Sequence, residues 1–146
     1  MKVFPAYRKW LRHKRIAFDT SFLIMVLEGK GREAEFASRI MEITQKRKLA
    51  IISSTVTLLE ALVRPYRAGA TEAVNQYYGH LVRSAIIRLV PLTVEIADRA
   101  ACLRARYGLK TSDAIQLATA VSEKATLFLA CDKDFRKQKE IEVGLL

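Results

Sequence analysis

The chain has 146 residues, 51% of them hydrophobic, enough for one domain with a substantial core, and it contains no Pro/Gly/Ser-rich stretch that would serve as a linker. Its net charge of +10, from 25 Lys and Arg against 15 Asp and Glu, favours a polyanionic partner by long-range attraction. The two cysteines, Cys102 and Cys131, stand in no C-x-x-C or Cys/His spacing, which argues against a disulfide or structural zinc framework, and no apolar run approaches the roughly 18 residues of a membrane span, so a soluble cytoplasmic protein with no membrane partner is expected.

Lys2, Arg8, Lys9, Arg12, Lys14 and Arg15 all precede the first acid, Asp19, so most of the excess charge stands at the amino end. A basic arm over residues 1–14 is expected ahead of a folded domain over 15–146. As a helix from about Pro5, the arm places Tyr7, Trp10, Leu11 and Lys14 on one side, with Arg8, Lys9, Arg12 and Arg15 elsewhere. The aromatics are expected to dock on the protein while the basic face looks outward.

A short apolar run, Ile16-Ala17-Phe18, reads as a buried strand that delivers Asp19 to the start of a short helix over 22–27, with Thr20 or Ser21 as N-cap. Gly29-Lys30-Gly31 breaks that helix, and a second one is predicted over 32–47, with its acids early or central and Lys46, Arg47 and Lys48 late, as the helix dipole prefers. Residues 49–53 form the next strand, and Ser54 or Thr55 caps a helix over 56–63 that Pro65 terminates. Further along, the pattern predicts a helix over 71–85, a strand over 86–91, and a helix over 94–107 with Gly108 at its C-cap. Thr111 or Ser112 caps a helix over 113–124, residues 126–130 make another strand, and 141–145 a last one. Short apolar strands alternating with amphipathic helices imply a parallel sheet covered on both faces.

Four acids fall at related places in this scheme. Asp19 follows the first strand, Asp132 follows the strand over 126–130, Asp113 opens a helix, and Glu60 sits in the second turn of the helix after 49–53. In a parallel sheet these positions share the carboxyl edge of the strands, where ligands bind. Each has a plainer reading: Asp19 as a helix cap, Asp113 as a complement to the helix dipole, Glu60 as an ion-pair partner of Arg64. Yet Glu60 is surrounded by Leu58, Leu59, Ala61, Leu62 and Val63, where a carboxylate risks partial burial without something to neutralise it. Like charges brought close need a counter-ion, and oxygen ligands with only His13 and His80 available point to Mg²⁺ or Mn²⁺. The same shortage of histidine argues against Ser-His-Asp or Cys-His catalysis, and no nucleotide-binding glycine loop is present. Metal-dependent attack on a phosphodiester joins the acidic edge to the basic arm.

Asp19-Thr20-Ser21-Phe22-Leu23-Ile24, Glu60 within Thr57-Leu58-Leu59-Glu60-Ala61-Leu62, Thr111-Ser112-Asp113-Ala114-Ile115-Gln116-Leu117-Ala118-Thr119-Ala120, and Leu129-Ala130-Cys131-Asp132-Lys133-Asp134-Phe135 together resemble a PIN-domain nuclease, most of all the VapC-type toxin ribonucleases. The resemblance runs from about Arg15 to the carboxyl end. It implies an α/β fold, a three-layer α/β/α sandwich with a central parallel sheet, and Mg²⁺- or Mn²⁺-dependent cleavage of RNA. It also implies a homodimer and control by a cognate antitoxin protein. By the same resemblance Asp19, Glu60 and Asp113 form the acidic core that binds metal, Asp132 is the fourth acid, and Thr20 or Ser21 takes the neighbouring hydroxyl role. Two features depart from the family pattern: Ala130 stands where Thr or Ser is usual, and the basic arm precedes the first acid. An RNA-processing nuclease that is not a toxin, or a catalytically weak PIN-like RNA-binding module, are the alternatives. An aspartyl-nucleophile phosphatase lacks support, since Asp19 is followed by Thr20-Ser21 and not by D-x-D.

Overall fold

The computed structural model describes residues 7–146, and the side chain of Tyr7 also lies outside the description. The expected helix start at Pro5 falls outside these residues. Helix α1 (Tyr7–Trp10) leads into β1 (Arg15–Phe18), α2 (Thr20–Glu28), α3 (Arg32–Lys46), β2 (Ala50–Ser54), α4 (Thr55–Arg67), α5 (Thr71–Tyr77), β3 (Ile87–Val90), α6 (Val94–Tyr107), α7 (Thr111–Ser122), β4 (Leu127–Ala130) and β5 (Glu142–Leu145).

The strands pair in the order β3-β2-β1-β4-β5, all parallel, with Ile16 beside Ile51 and Leu127, and Ala17 beside Ile52 and Phe128. Because side chains alternate across a strand, Ile16, Phe18, Leu127 and Leu129 point to one face and Ala17, Phe128 and Ala130 to the other. Phe22 and Leu23 of α2, Ile40 of α3, Leu62 of α4 and Tyr77 of α5 cover the first face. Ile96 and Leu103 of α6 with Ala114 and Leu117 of α7 cover the second. The result is the expected α/β/α sandwich around a parallel sheet. The chain leaves β1 toward β2 and leaves β4 toward β5, so the strand order reverses between β1 and β4, which opens a crevice at their carboxyl ends.

Four local expectations are corrected. Asp19, not Thr20 or Ser21, occupies the N-cap position of α2, and its carboxylate makes no capping bond. Lys110 occupies that position in α7, so Thr111 and Ser112 already belong to the first turn. Pro65 does not end α4: the ring is buried, and the helix continues through Arg67 with Ala68 N–H donating to Arg64 O and Ala70 N–H to Pro65 O. Proline costs the helix only its own N–H and the bond to the preceding turn, which packing offsets here. The helix from Thr71 gives way at Tyr78–Val82 to a π-helical turn, consistent with the weak helix propensity of Gly79, and Ser84 then accepts the N–H groups of Ile86 and Ile87 to launch β3. Ser54 does cap α4, accepting from Val56 N–H at 3.1 Å.

Of the arm, residues 8–14 are described with their side chains, and Trp10 packs into the core. Trp10 is buried edge-on against Phe36, whereas Arg8, Lys9, Arg12 and Lys14 face solvent. Lys14 escapes the docked side because the helix ends at Trp10. Lys9 and His13 reach Glu142, the first residue of β5, at 3.0 and 3.3 Å, His13 meets Thr126 just before β4, and Arg47 bonds the carbonyl of Leu11. These contacts lie at the amino ends of the strands, the edge opposite the crevice.

Candidate active site

Asp19 leaves β1 with its N–H bonded to Leu129 O at 2.9 Å, which fixes it beside β4 at the point where the strand order reverses. Its side chain is buried. Ser21 Oγ donates to Asp19 Oδ2 at 2.6 Å and accepts the N–H of Cys131 at 3.3 Å, tying the start of α2 to the residue that follows β4. Burial pushes the Asp19 carboxyl up to about 6; the Ser21 hydrogen bond pulls it down, and the nearby charge of Asp113 pushes it up again.

Asp113 lies in the first turn of α7, half-buried, and its Oδ2 is fully enclosed with no hydrogen-bond partner. Its carboxyl is also raised, first by burial and then by the charge of Asp132, with Lys110 acting against that and Glu60 and Asp134 adding to it. Asp113 therefore feels the charge of Asp132 and Glu60, and Asp19 feels the charge of Asp113. Glu60 is half-buried in α4, where its Oε1 accepts the hydroxyl of Thr20 at 2.9 Å, so a hydrogen bond to α2 takes the place of the ion pair with Arg64. Asp132 is half-buried and its Oδ1 caps the short 3₁₀ turn Lys133–Lys137 through Asp134 N–H at 2.8 Å. Asp134 is exposed.

Sequence reasoning missed a polar layer beneath these acids. Gln116 Nε2 donates to Thr20 Oγ1 at 2.7 Å and to Thr57 Oγ1 at 2.8 Å, Thr57 lies 2.8 Å from Ser53 Oγ, and Ser53 donates to Phe18 O at 2.9 Å. Ser53, Thr57, Gln116 and Thr20 are all buried. One signal was available: Thr57 precedes Glu60, and Gln116 follows Asp113, by three residues, one helical turn along the same face.

The oxygen-only donors, the mutual repulsion of the carboxylates and the enclosed, unpartnered Oδ2 of Asp113 suit a hard divalent cation. Among the described residues no three His, Cys, Asp or Glu side chains stand gathered tightly enough to form a complete ligand set as placed.

Fold and site together define a doubly covered parallel α/β domain with a carboxylate-lined crevice at its switch point. The PIN domain family model matches residues 16–141, and the chain belongs to that family. Among solved structures it is similar to a toxin-antitoxin complex from Klebsiella pneumoniae, with 25% identity over 86% of this chain and 94% of that one and a TM-score of 0.64. The fold is shared with VapBC2 from Rickettsia felis bound to a DNA fragment from its promoter, at 12% identity and TM-score 0.72 over 90% and 98% of the two chains. It is shared too with Mycobacterium tuberculosis VapC20, a Sarcin-Ricin loop cleaving toxin, at 21% identity and TM-score 0.65 over 87% and 98%. No curated protein matches the sequence. Among the described residues no helix is long and apolar enough to cross a membrane.

Proposed function

We propose that this chain is the ribonuclease toxin of a toxin-antitoxin pair, hydrolysing RNA phosphodiester bonds with Mg²⁺ or Mn²⁺ at Asp19, Glu60, Asp113 and Asp132. The observation that carries the reading is the enclosed, unpartnered Oδ2 of Asp113, whose carboxyl feels the charge of Asp132 and Glu60. Membership of the PIN family and the likeness to the Klebsiella pneumoniae toxin-antitoxin complex support it and the reading of an antitoxin as partner.

A bound divalent cation supplies the positive charge that polarises a phosphodiester oxygen and strengthens water as a nucleophile. The protein's part is to aim the acids. Ser21 occupies one oxygen of Asp19, so that this acid presents its other oxygen in one orientation. Thr20 does the same for Glu60. The two neighbouring hydroxyls thus serve different acids. Asp132 is fixed by the turn that it caps. Burial of Asp19 keeps bulk water away and strengthens its attraction for a cation.

Incubating defined RNAs with the protein and Mn²⁺ or Mg²⁺, with and without EDTA, tests the reading. Cleavage should vanish with EDTA and with Asp19→Asn. Cleavage that persists in both overturns it.

A further inference from the structure

Resting on the metal-site reading above, we infer that Gln116 is a positioning residue that supplies the two protons the hydroxyls beneath the acids lack and thereby commits the Thr20 hydroxyl to Glu60. The argument is a count of protons. At one end of the network Ser53 meets Phe18 O, a carbonyl that can only accept, so the Ser53 proton is spent there. At the other end Glu60 Oε1 accepts the Thr20 hydroxyl at 2.9 Å, so the Thr20 proton is spent there. Thr57 has a single proton and two hydroxyl neighbours, Ser53 at 2.8 Å and Thr20 at 3.0 Å. No proton remains in this group for the contacts at 2.7 and 2.8 Å that join Thr20 and Thr57 to residue 116. The side chain at 116 must bring both protons itself, and a primary amide with its nitrogen turned to the two hydroxyls does so.

The consequence reaches the crevice through Thr20. With the Gln116 amide donating to its lone pair, the Thr20 hydroxyl cannot turn away from Glu60, so Oε1 stays engaged and Oε2 is left as the acceptor for a cation. Without the amide, the Thr20 and Thr57 hydroxyls, 3.0 Å apart, are free to bond each other, and Glu60 loses its fixed donor. Four separate elements, α2, β2, α4 and α7, meet at this layer. Residues that orient ligand groups from behind typically change metal affinity 10- to 100-fold when altered.

The test uses the full chain with Gln116→Met, which keeps length and apolar packing but has no proton to give, together with Thr20→Val, Thr20→Ser and the Gln116→Met/Thr20→Val double variant. Melting temperatures confirm that each folds. Two readouts follow: Mn²⁺ affinity by calorimetry, and the exchange-protected Thr20 hydroxyl proton by NMR in metal-free protein. Gln116→Met should weaken Mn²⁺ binding roughly 10-fold or more and broaden or shift the hydroxyl signal. Thr20→Ser, which retains the proton, should bind within about threefold of native. The double variant should be no weaker than Thr20→Val alone, because the amide acts through that hydroxyl. An unchanged hydroxyl signal in Gln116→Met, or losses that multiply in the double variant, overturns the role of Gln116 with the metal site intact. Native protein that binds no Mn²⁺ overturns the metal-site reading itself, and the cation role assigned to Glu60 falls with it.

Discussion

The indole of Trp10 lies on the backbone of Gly144 so closely that a Cβ at position 144 would stand 2.6 Å from the ring and equally close to Leu129. Glycine in β5 is thus what lets the amino-terminal arm lie on the sheet. Gly144→Ala should cost about 1–3 kcal/mol by overpacking, and Trp10→Ala about 3–5 kcal/mol by leaving a cavity beside Phe36. Chemical denaturation of the two variants measures both.

The same contact changes how the charge of the arm has to be tested. Deleting the arm removes Trp10 from the core and confuses RNA binding with stability. Replacing Arg8, Lys9, Arg12 and Lys14 by Gln leaves Trp10 in place, and all four are exposed. The substituted protein should melt within a few degrees of native. Its RNA affinity should fall less steeply with salt, because fewer counterions are released on association. A salt slope equal to that of the native chain assigns these cations to something other than RNA.

Asp19 gives a pH dependence of definite sign. Its folded-state value of about 6 lies above the ordinary 3.8, so the native state holds the proton more tightly than the unfolded chain does. The stability that this contributes is fully present below the unfolded value and is lost as pH rises through about 6, a change on the order of 3 kcal/mol. Asp113 shifts in the same direction. In metal-free protein Asp19→Asn should therefore raise the melting temperature at pH 8 and have little effect at pH 4. Mn²⁺ should stabilise the native chain at pH 8 and much less below about 6, where the proton competes with the cation. Thermal melts at the two pH values, with EDTA or with Mn²⁺, check each arm.

How much of this could be read in advance follows from how local each cause is. Ile16-Ala17-Phe18 ending in Asp19 announces a buried strand and its exit within four residues, and Leu127–Ala130 before Asp132 does the same, so the strands and the acidic edge were legible. The partners of Gln116 were not. Thr20 and Thr57 lie 96 and 59 residues away along the chain, and no local propensity joins them. Pro65 misled because its penalty is local while the packing that offsets it is tertiary. Gly144 carries no signal at all without Trp10 above it.

The 3₁₀ turn after β4 separates Asp132 from Asp134. Asp132 accepts the capping bond and Asp134 contributes only its N–H. Asparagine at 132 can keep that cap, since its side-chain oxygen accepts the same bond, whereas alanine cannot. Asp132→Asn should therefore lower cleavage while holding stability, and Asp132→Ala should lower both, with about 1 kcal/mol lost from the cap. Asp134 is exposed and is the last of the charges acting on Asp113, while Asp132 is the first. Asp134→Asn should leave stability unchanged and cleavage nearly so. Asp19→Asn should do the greatest damage, because that carboxylate is buried at the strand switch. Activity is thus expected to fall from native through Asp134→Asn and Asp132→Asn to Asp19→Asn. Measured cleavage rates at saturating Mn²⁺ decide it: a folded Asp134→Asn protein without activity, beside an active Asp132→Asn protein, would transfer the role of fourth acid to Asp134.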